Sequence, residues 1–327
     1  MVDTPEPLFP DPTDTVMWRT SPGSDDEGLS SVASWFRSQS EMEIRFGEIF
    51  RQSIDEVLDG QRTGRFDLAT TAKTEKTYLG TKVEILCQVE FNLQRGTRMD
   101  YLVNGHEVDA KFSSDGPTKQ SIPREAVGHI CLLMHADDAD QFFSVGLLRV
   151  TSDVLSPGKG NQDGKKAIIA AGRPKVLWLV RQGQLPENLL LNLPEVTRRA
   201  IFDVPVPKGR GKGGQKRVNQ LFRLVQRRAI RREVVLAVAQ QDDGPKRVRD
   251  ARSHLRPEGI LVLGHQDDHP RIARDLKLPV PNKGQWVSVR VVPQGEDFSR
   301  PGTLIQGVRY VVAMPDEAPV PGPTKIY

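Results

Sequence analysis

Between Leu29 and about Gly60 the apolar residues Trp35, Phe36, Met42, Phe46, Ile49, Phe50, Ile54 and Val57 recur at helical spacing. That pattern predicts a long amphipathic helix, with the glycine as its stop. LGTKVEILCQVEF at 79–91 predicts a second helix. The period then shortens to two. Met99–Ser113, MDYLVNGHEVDAKFS, alternates around Asn104-Gly105, the signature of a hairpin with a two-residue type I′ turn. Such a turn pairs Val103 with His106, Leu102 with Glu107, Tyr101 with Val108, and Asp100 with Asp109. Tyr101, Val103, Val108, Ala110 and Phe112 then share one face, and Asp100, Asp109 and Lys111 the other. HICLLMH at 129–135, FFSVGLLRV at 142–150 and VLWLV at 176–180 predict further strands. Together these elements predict an α/β unit, a mixed sheet flanked by helices.

A domain boundary is expected near Gly183, after the glycine-rich stretch around 157–164. Beyond it, LPENLLLNLPEVTRRAIF is helical around 195–202, and KRVNQLFRLVQRRAI forms a basic helix. REVVLAVAQQ and GPKRVRDARS fit a helix-turn-helix, although VVLAVA fits a strand equally well. GILVLG, QWVSVRVVP and GVRYVVAMP read as strands of a wing or small sheet. Residues 1–28 are acidic and rich in Pro, Ser and Asp, the composition of a disordered tail, and the proline-rich 315–327 reads as a loose one. The expected division is therefore 29–183 and 184–314, between two tails.

Composition adds charge asymmetry. Between Lys208 and Arg256 fifteen Lys/Arg stand against four acids, a net +11, so the rest of the chain carries −7 within an overall +4. A basic block spread over several elements is the footprint expected of a polyanion partner. The candidate DNA contacts are Lys208, Arg210, Lys212, Lys216, Arg217, Gln240, Gln241, Lys246, Arg247, Arg249 and Arg252. The bland alternative is a solvated, Arg-rich helical face. No apolar run approaches the length of a membrane span, and the N-terminus is unlike a signal peptide. Cys87 and Cys131, both inside apolar runs, read as free buried thiols, which suits a cytoplasmic protein. His265 and His269 stand four apart, but Pro270 follows and the stretch reads as a loop rather than a zinc site.

Two carboxylates held opposite one another repel unless something neutralises them. Mg²⁺, a hard cation that takes one or two carboxylates and keeps waters for a phosphate, would do so. An adjacent lysine could then manage an attacking water. The bland reading is a solvated hairpin with surface charges. Asp-x-Lys also occurs at Asp163-Gly-Lys165 and Asp275-Leu-Lys277, but only Asp109-Ala-Lys111 sits on a strand with a second Asp facing it.

Glu84, Asp100 and Asp109-Ala110-Lys111 together resemble the PD-(D/E)xK nuclease site. Wider segments are similar to the NaeI-type (type IIE) restriction endonucleases. They include DGQRTGR at 59–65, KTEKTYLGTKVEI at 73–85, VDAKFS at 108–113 and GHICL at 128–132. In the second half they include VAQQDD at 238–243, KRVR at 246–249, LRPEGI at 255–260 and LPVPNKGQ at 278–285. The resemblance implies a restriction-endonuclease-like catalytic domain followed by a winged-helix DNA-binding domain. It implies a homodimer that cuts palindromic duplex DNA and is activated by a second copy of the site. A cognate DNA methyltransferase is then expected in the same system. It assigns Mg²⁺ to Asp100, Asp109 and the carbonyl of Ala110, water management to Lys111, and completion of the acidic cluster to Glu84. Taken alone, Glu84 reads as one of several helical acids, of the solvated kind. The family's namesake reads GCCGGC, which becomes the expected site here. The rivals are a mismatch-repair-like nicking endonuclease on the same core and a non-catalytic DNA-binding regulator. Val57-Leu58-Asp59-Gly60 resembles the Lys-x-Asp-Gly motif of DNA ligases, but valine cannot form their covalent adduct.

Overall fold

The computed structural model describes residues 25–205, 213–295 and 299–324. The chain divides into two compact units: residues up to Val57 with Leu68–Asn188, and Leu58–Asp67 with residues from Leu189 onward. The boundary thus lies five residues past Gly183, and a short early segment belongs to the second unit.

The first unit is mixed α/β. Helix α1 (Glu27–Arg37) starts where Asp26 accepts the Leu29 amide at 2.8 Å, with Glu27 in its first turn and Arg37 in its last. Asp26 also accepts Nε and NH2 of Arg149 at 2.7 and 2.9 Å, which ties the helix start to a strand. The expected single helix is two, because Glu41 takes a left-handed φ of 51° just before α2 (Met42–Leu58). The helix expected at 79–91 is α4 (Lys73–Glu90), six residues longer at its N-terminus. Its opening turns are polar and carry no apolar period, and the Glu75 side chain accepts the Ala72 amide there.

Six strands follow the order β1-β2-β3-β5-β6-β8: β1 Gln94–Arg95, β2 Tyr101–Val103, β3 His106–Ser113, β5 Ile130–Asp137, β6 Phe142–Arg149 and β8 Leu177–Gln184. Only β3 and β5 run parallel; the other neighbours are antiparallel. A small pair, β4 (Ser121–Ile122) with β7 (Lys166–Ala167), stands apart. Phe36, Phe46, Phe50, Phe91 and Phe143 pack ring against ring, and Ile122, Leu133, Leu148, Val154 and Val176 belong to a second core cluster. Arg51, 1 % exposed, is ion-paired with Asp55 and Asp138 inside this unit, and Asn188 donates to Asp138 at 2.8 Å.

In the second unit α3 (Gly60–Thr63) packs on α8 (Arg232–Ala239). A Cβ on Gly60 would fall 2.7 Å from that of Ala237, so only glycine admits this approach. Gln61 donates to Asp242 at 2.6 Å, and Phe66 packs against the unit's core. The remaining helices are α5 (Leu189–Asn192), α6 (Glu195–Phe202), α7 (Gly214–Leu224), α9 (Gly244–Leu255) and α10 (His269–Asp275). Helices α7, α8 and α9 pack together, with the turn 240–243 between α8 and α9. VVLAVA is therefore helical: its valines are buried against α7 and α9 on one face.

Strand β11 (Gln285–Pro293) lies between β10 (Ile260–Leu263) and β9 (Ile230–Arg231), and its far end pairs with β13 (Val308–Val312), which pairs with β12 (Gly302–Ile305). The segment after Pro315 is held rather than loose. Arg300 is ion-paired with Glu317, Arg290 donates to the Glu317 carbonyl, and the Gly322 amide bonds the Arg256 carbonyl. Most of the expected acidic tail, residues 1–24, and the last three residues lie outside the described residues, while Glu27 and Gly28 belong to α1.

Candidate active site

Asn104 and Gly105 take φ of 48° and 82°, and the strands pair Tyr101–Val108, Leu102–Glu107 and Val103–His106, the expected hairpin. Asp100 differs. It lies one residue before β2, outside the ladder, and its Oδ2 accepts the Ala110 amide at 2.7 Å. The two carboxylates therefore do not simply oppose one another. Asp100 satisfies a strand amide, and Lys111 sits between the acids.

Lys111 Nζ donates to Asp109 Oδ1 at 2.7 Å and to the Ala110 carbonyl at 2.8 Å, and lies 3.7 Å from Asp100 Oδ2. Burial would depress the lysine, but the Asp109 and Asp100 charges outweigh it and raise its pKa above the ordinary value. Burial raises Asp109, with Lys111 opposing. Cys131, opposite Asp109 on β5, donates its thiol to Asp109 Oδ2 at 3.4 Å; burial pushes that thiol well up, so it stays protonated. Glu84 reaches this cluster from α4, half-buried. Burial, then the Asp100 charge, raise its pKa. The Tyr101 hydroxyl donates to the Glu84 carbonyl at 2.8 Å and fixes that turn of α4 against the hairpin.

All five residues expected at the site thus come together. Sequence reading missed Cys131 and the Tyr101 hydroxyl. The GHICL motif pointed at the first; nothing local pointed at the second.

Over residues 30–321 the chain matches the family model described as restriction endonuclease NaeI. It is 44% identical over 304 residues to the type II restriction enzyme NaeI of Lentzea aerocolonigenes, covering 91% of this chain and 94% of that one. The chain belongs to the NaeI restriction endonuclease family. It is a type II restriction endonuclease of that kind, a site-specific deoxyribonuclease.

Type II restriction enzymes generally need Mg²⁺. Among the described residues no group of three or more His, Cys, Asp or Glu side chains is gathered closely enough to enclose a metal alone. The Asp100 and Asp109 carboxylates and the Ala110 carbonyl, gathered around Lys111, are oxygen groups of the kind a hard cation takes. The Lys111 ammonium already bonds two of these oxygens and approaches the third, so the place accepts a cation.

The basic residues separate into distinct groups. Lys246 and Arg249 are exposed on α9, and Lys216 is exposed on α7 with Nζ bonded to the Pro205 carbonyl at 3.0 Å. Arg247 is ion-paired with Asp243 and Asp250, and Arg252 Nε bonds the Val262 carbonyl at 3.0 Å. Arg217 corrects the expectation most sharply. It is 8 % exposed, and its Nε and NH2 bond the Val238 and Ala239 carbonyls at 2.7 and 2.9 Å, capping the end of α8. Gln240 ends α8 in a left-handed conformation beside Gly64, and Gln241 turns toward Gly214. Lys208, Arg210 and Lys212 lie outside the described residues. His269 Nδ1 accepts the Gly264 amide at 3.0 Å, and burial pushes its pKa down to about 4, a structural role. Among the described residues no helix is long and apolar enough to cross a membrane.

Proposed function

We propose that this endonuclease hydrolyses phosphodiester bonds of a palindromic site in duplex DNA, with Mg²⁺ held by Asp100, Asp109 and the Ala110 carbonyl. The observation that carries this reading is the Lys111 ammonium placed among those same three oxygens. When bound, the metal polarises the phosphate and supplies an activated water. Lys111, charged and attached to the same strand, is placed to orient that water and to stabilise charge developing on the phosphate. Asp109 is kept in place by the Cys131 thiol and Asp100 by the Ala110 amide. Glu84 completes the acidic cluster from α4.

The second unit is proposed to bind a further copy of the site. The succession α7, β9, α8, α9, β10, β11, with β11 between β9 and β10, supports a winged helix. Helix α9 would then be the groove helix, with Lys246 and Arg249 outward. Cutting both strands of a palindrome calls for two sites related by a dyad, hence a homodimer. A DNA methyltransferase would protect the host's own sites inside the cell.

Plasmids carrying one or two copies of GCCGGC, incubated with Mg²⁺ or with EDTA, test this, with Asp109→Ala alongside. Discrete linear products that need Mg²⁺ and Asp109, formed faster from the two-site plasmid, are expected. Nicked circles alone would replace the reading with single-strand nicking. Cleavage by Asp109→Ala at the parental rate would remove the site assignment.

A further inference from the structure

Glu107 lies two residues before Asp109 on β3, so the spacing Glu107-x-Asp109-x-Lys111 places a third acid on the strand face of the site. By position it reads as one more metal ligand. Its carboxylate is otherwise engaged. Glu107 Oε1 accepts the Thr97 amide at 2.8 Å, and Oε2 accepts those of Arg98 and Met99 at 3.2 and 2.9 Å. Three successive amides converging on one anion form a backbone nest, here filled by the protein's own carboxylate.

This nest is the loop that delivers Asp100. It opens at Gly96, whose amide bonds the Asp100 carbonyl at 3.3 Å, and runs through Met99 directly into Asp100. The packing is tight: a Cβ on Gly96 would fall 2.5 Å from Glu107 Oε2 and 2.9 Å from the Tyr101 carbonyl. Asp100 stands outside the β2–β3 ladder, and its carbonyl is held by the Gly96 amide of this same loop. On its C-terminal side the β2–β3 hairpin fixes it; on its N-terminal side the Glu107-filled nest does. The three amide bonds, that of Met99 foremost, keep the Glu107 carboxyl below the ordinary carboxylate range and therefore charged.

We infer that Glu107 is a positioning residue, which holds the 97–99 loop so that Asp100 presents its carboxylate to the cation place beside Asp109. It does not touch the cation. This inference rests on the proposed metal site, and the controls separate the two. Substitution of groups that orient a metal ligand costs about 10–100-fold in metal affinity.

The full chain is examined as parent, Glu107→Ala, Glu107→Gln and Asp100→Asn. Three quantities are measured: amide exchange of residues 97–99 without metal, Ca²⁺ affinity by calorimetry, and the Mg²⁺ midpoint of cleavage. Glu107→Ala is expected to speed exchange at 97–99 by about tenfold or more, since each amide loses a charge-assisted bond. Ca²⁺ affinity should fall about 10–100-fold, with the cleavage rate largely restored at saturating Mg²⁺. Glu107→Gln, which retains an acceptor oxygen, should lie between it and the parent. That variant carries the test if the alanine protein does not fold. Faster exchange with an unchanged Ca²⁺ affinity would overturn the inference, because the loop would then not position Asp100. Weaker Ca²⁺ binding with unchanged exchange would also overturn it, because Glu107 would then be a ligand. If Asp100→Asn leaves Ca²⁺ binding and cleavage intact, the metal site itself is wrong. If it abolishes both while the Glu107 variants behave as the parent, only the role of Glu107 fails.

Discussion

Replacing Lys111 with methionine keeps the aliphatic stem and removes the ammonium. That ammonium lies 2.7, 2.8 and 3.7 Å from the three oxygens proposed to hold Mg²⁺, so lysine and metal compete for one place. Two unit charges 4 Å apart interact by roughly 1 kcal/mol in water and roughly 4 kcal/mol at a partly screened protein site. The Lys111 and Asp109 side chains are 24% and 7% exposed, so the site lies between these limits. Lys111→Met should therefore bind Ca²⁺ more tightly than the parent, by roughly tenfold or more. Cleavage in Mg²⁺ should fall by about 10²–10⁴-fold, as expected when a positioned proton-handling group is lost. The metal-free variant should also unfold more easily, because Asp109 is left buried without its partner, and added Ca²⁺ should close that gap in stability. Calorimetric titration of Ca²⁺ and single-turnover cleavage are the two assays. Weaker Ca²⁺ binding by Lys111→Met would refute the competition and show that the lysine helps to assemble the donors.

Removing two exposed cations from α9, Lys246→Ala with Arg249→Ala, should weaken DNA binding and flatten its salt dependence by about 0.9 per lost phosphate contact, measured by binding titrations across salt. Arg217→Met should leave that slope unchanged but cost roughly 1–3 kcal/mol in urea unfolding, since two helix-end carbonyls lose their donors. Arg51→Met should cost about 3–5 kcal/mol in the same assay, because Asp138 stays buried without its charge partner; a loss under about 1 kcal/mol would refute this. Glu84 and Asp109 have pKa values raised by burial, so cleavage should fade on the acid side above the ordinary carboxylate range. More Mg²⁺ should shift that limb to lower pH, because the cation competes with protons. For folding the sign is opposite: what these two acids add to the stability of the metal-free protein is complete below the ordinary carboxylate pKa. It is lost as pH rises through their raised values.

The hairpin was legible because Asn104-Gly105 imposes both turn type and register, and the alternation then places Asp109 and Lys111 on one face. Asp100 joins the cluster through its carboxylate but lies outside the ladder in which the alternation had placed it, since strand ends depend on loop bonds that no short pattern encodes. The break before Met42 was hidden because the polar run Ser38–Glu41 reads as the exposed stretch of one helix, and the left-handed backbone of Glu41 leaves no mark in the pattern. The early start of α4 was hidden for the opposite reason, its first turns being polar on all sides. In the basic block, a count of charges cannot distinguish Arg217, which turns inward beside Val218 and Leu221, from Lys246, which faces solvent. That distinction depends on which stripe of each helix meets its neighbours.

The ten residues Leu58–Asp67, placed by contact in the second unit, make the chain pass between the units three times instead of once. The halves are therefore not modules joined by a single linker. A fragment beginning at Leu189 lacks Phe66, which packs on its core, and the Gln61 amide that bonds Asp242. A fragment ending at Asn188 carries a stretch whose packing partners are gone. Recombination between relatives at one point near residue 188 would join a 58–67 segment from one parent to an α8 from another, with Gly60 facing an unmatched Ala237 position. Domain exchange in this family should succeed only when both segments travel together.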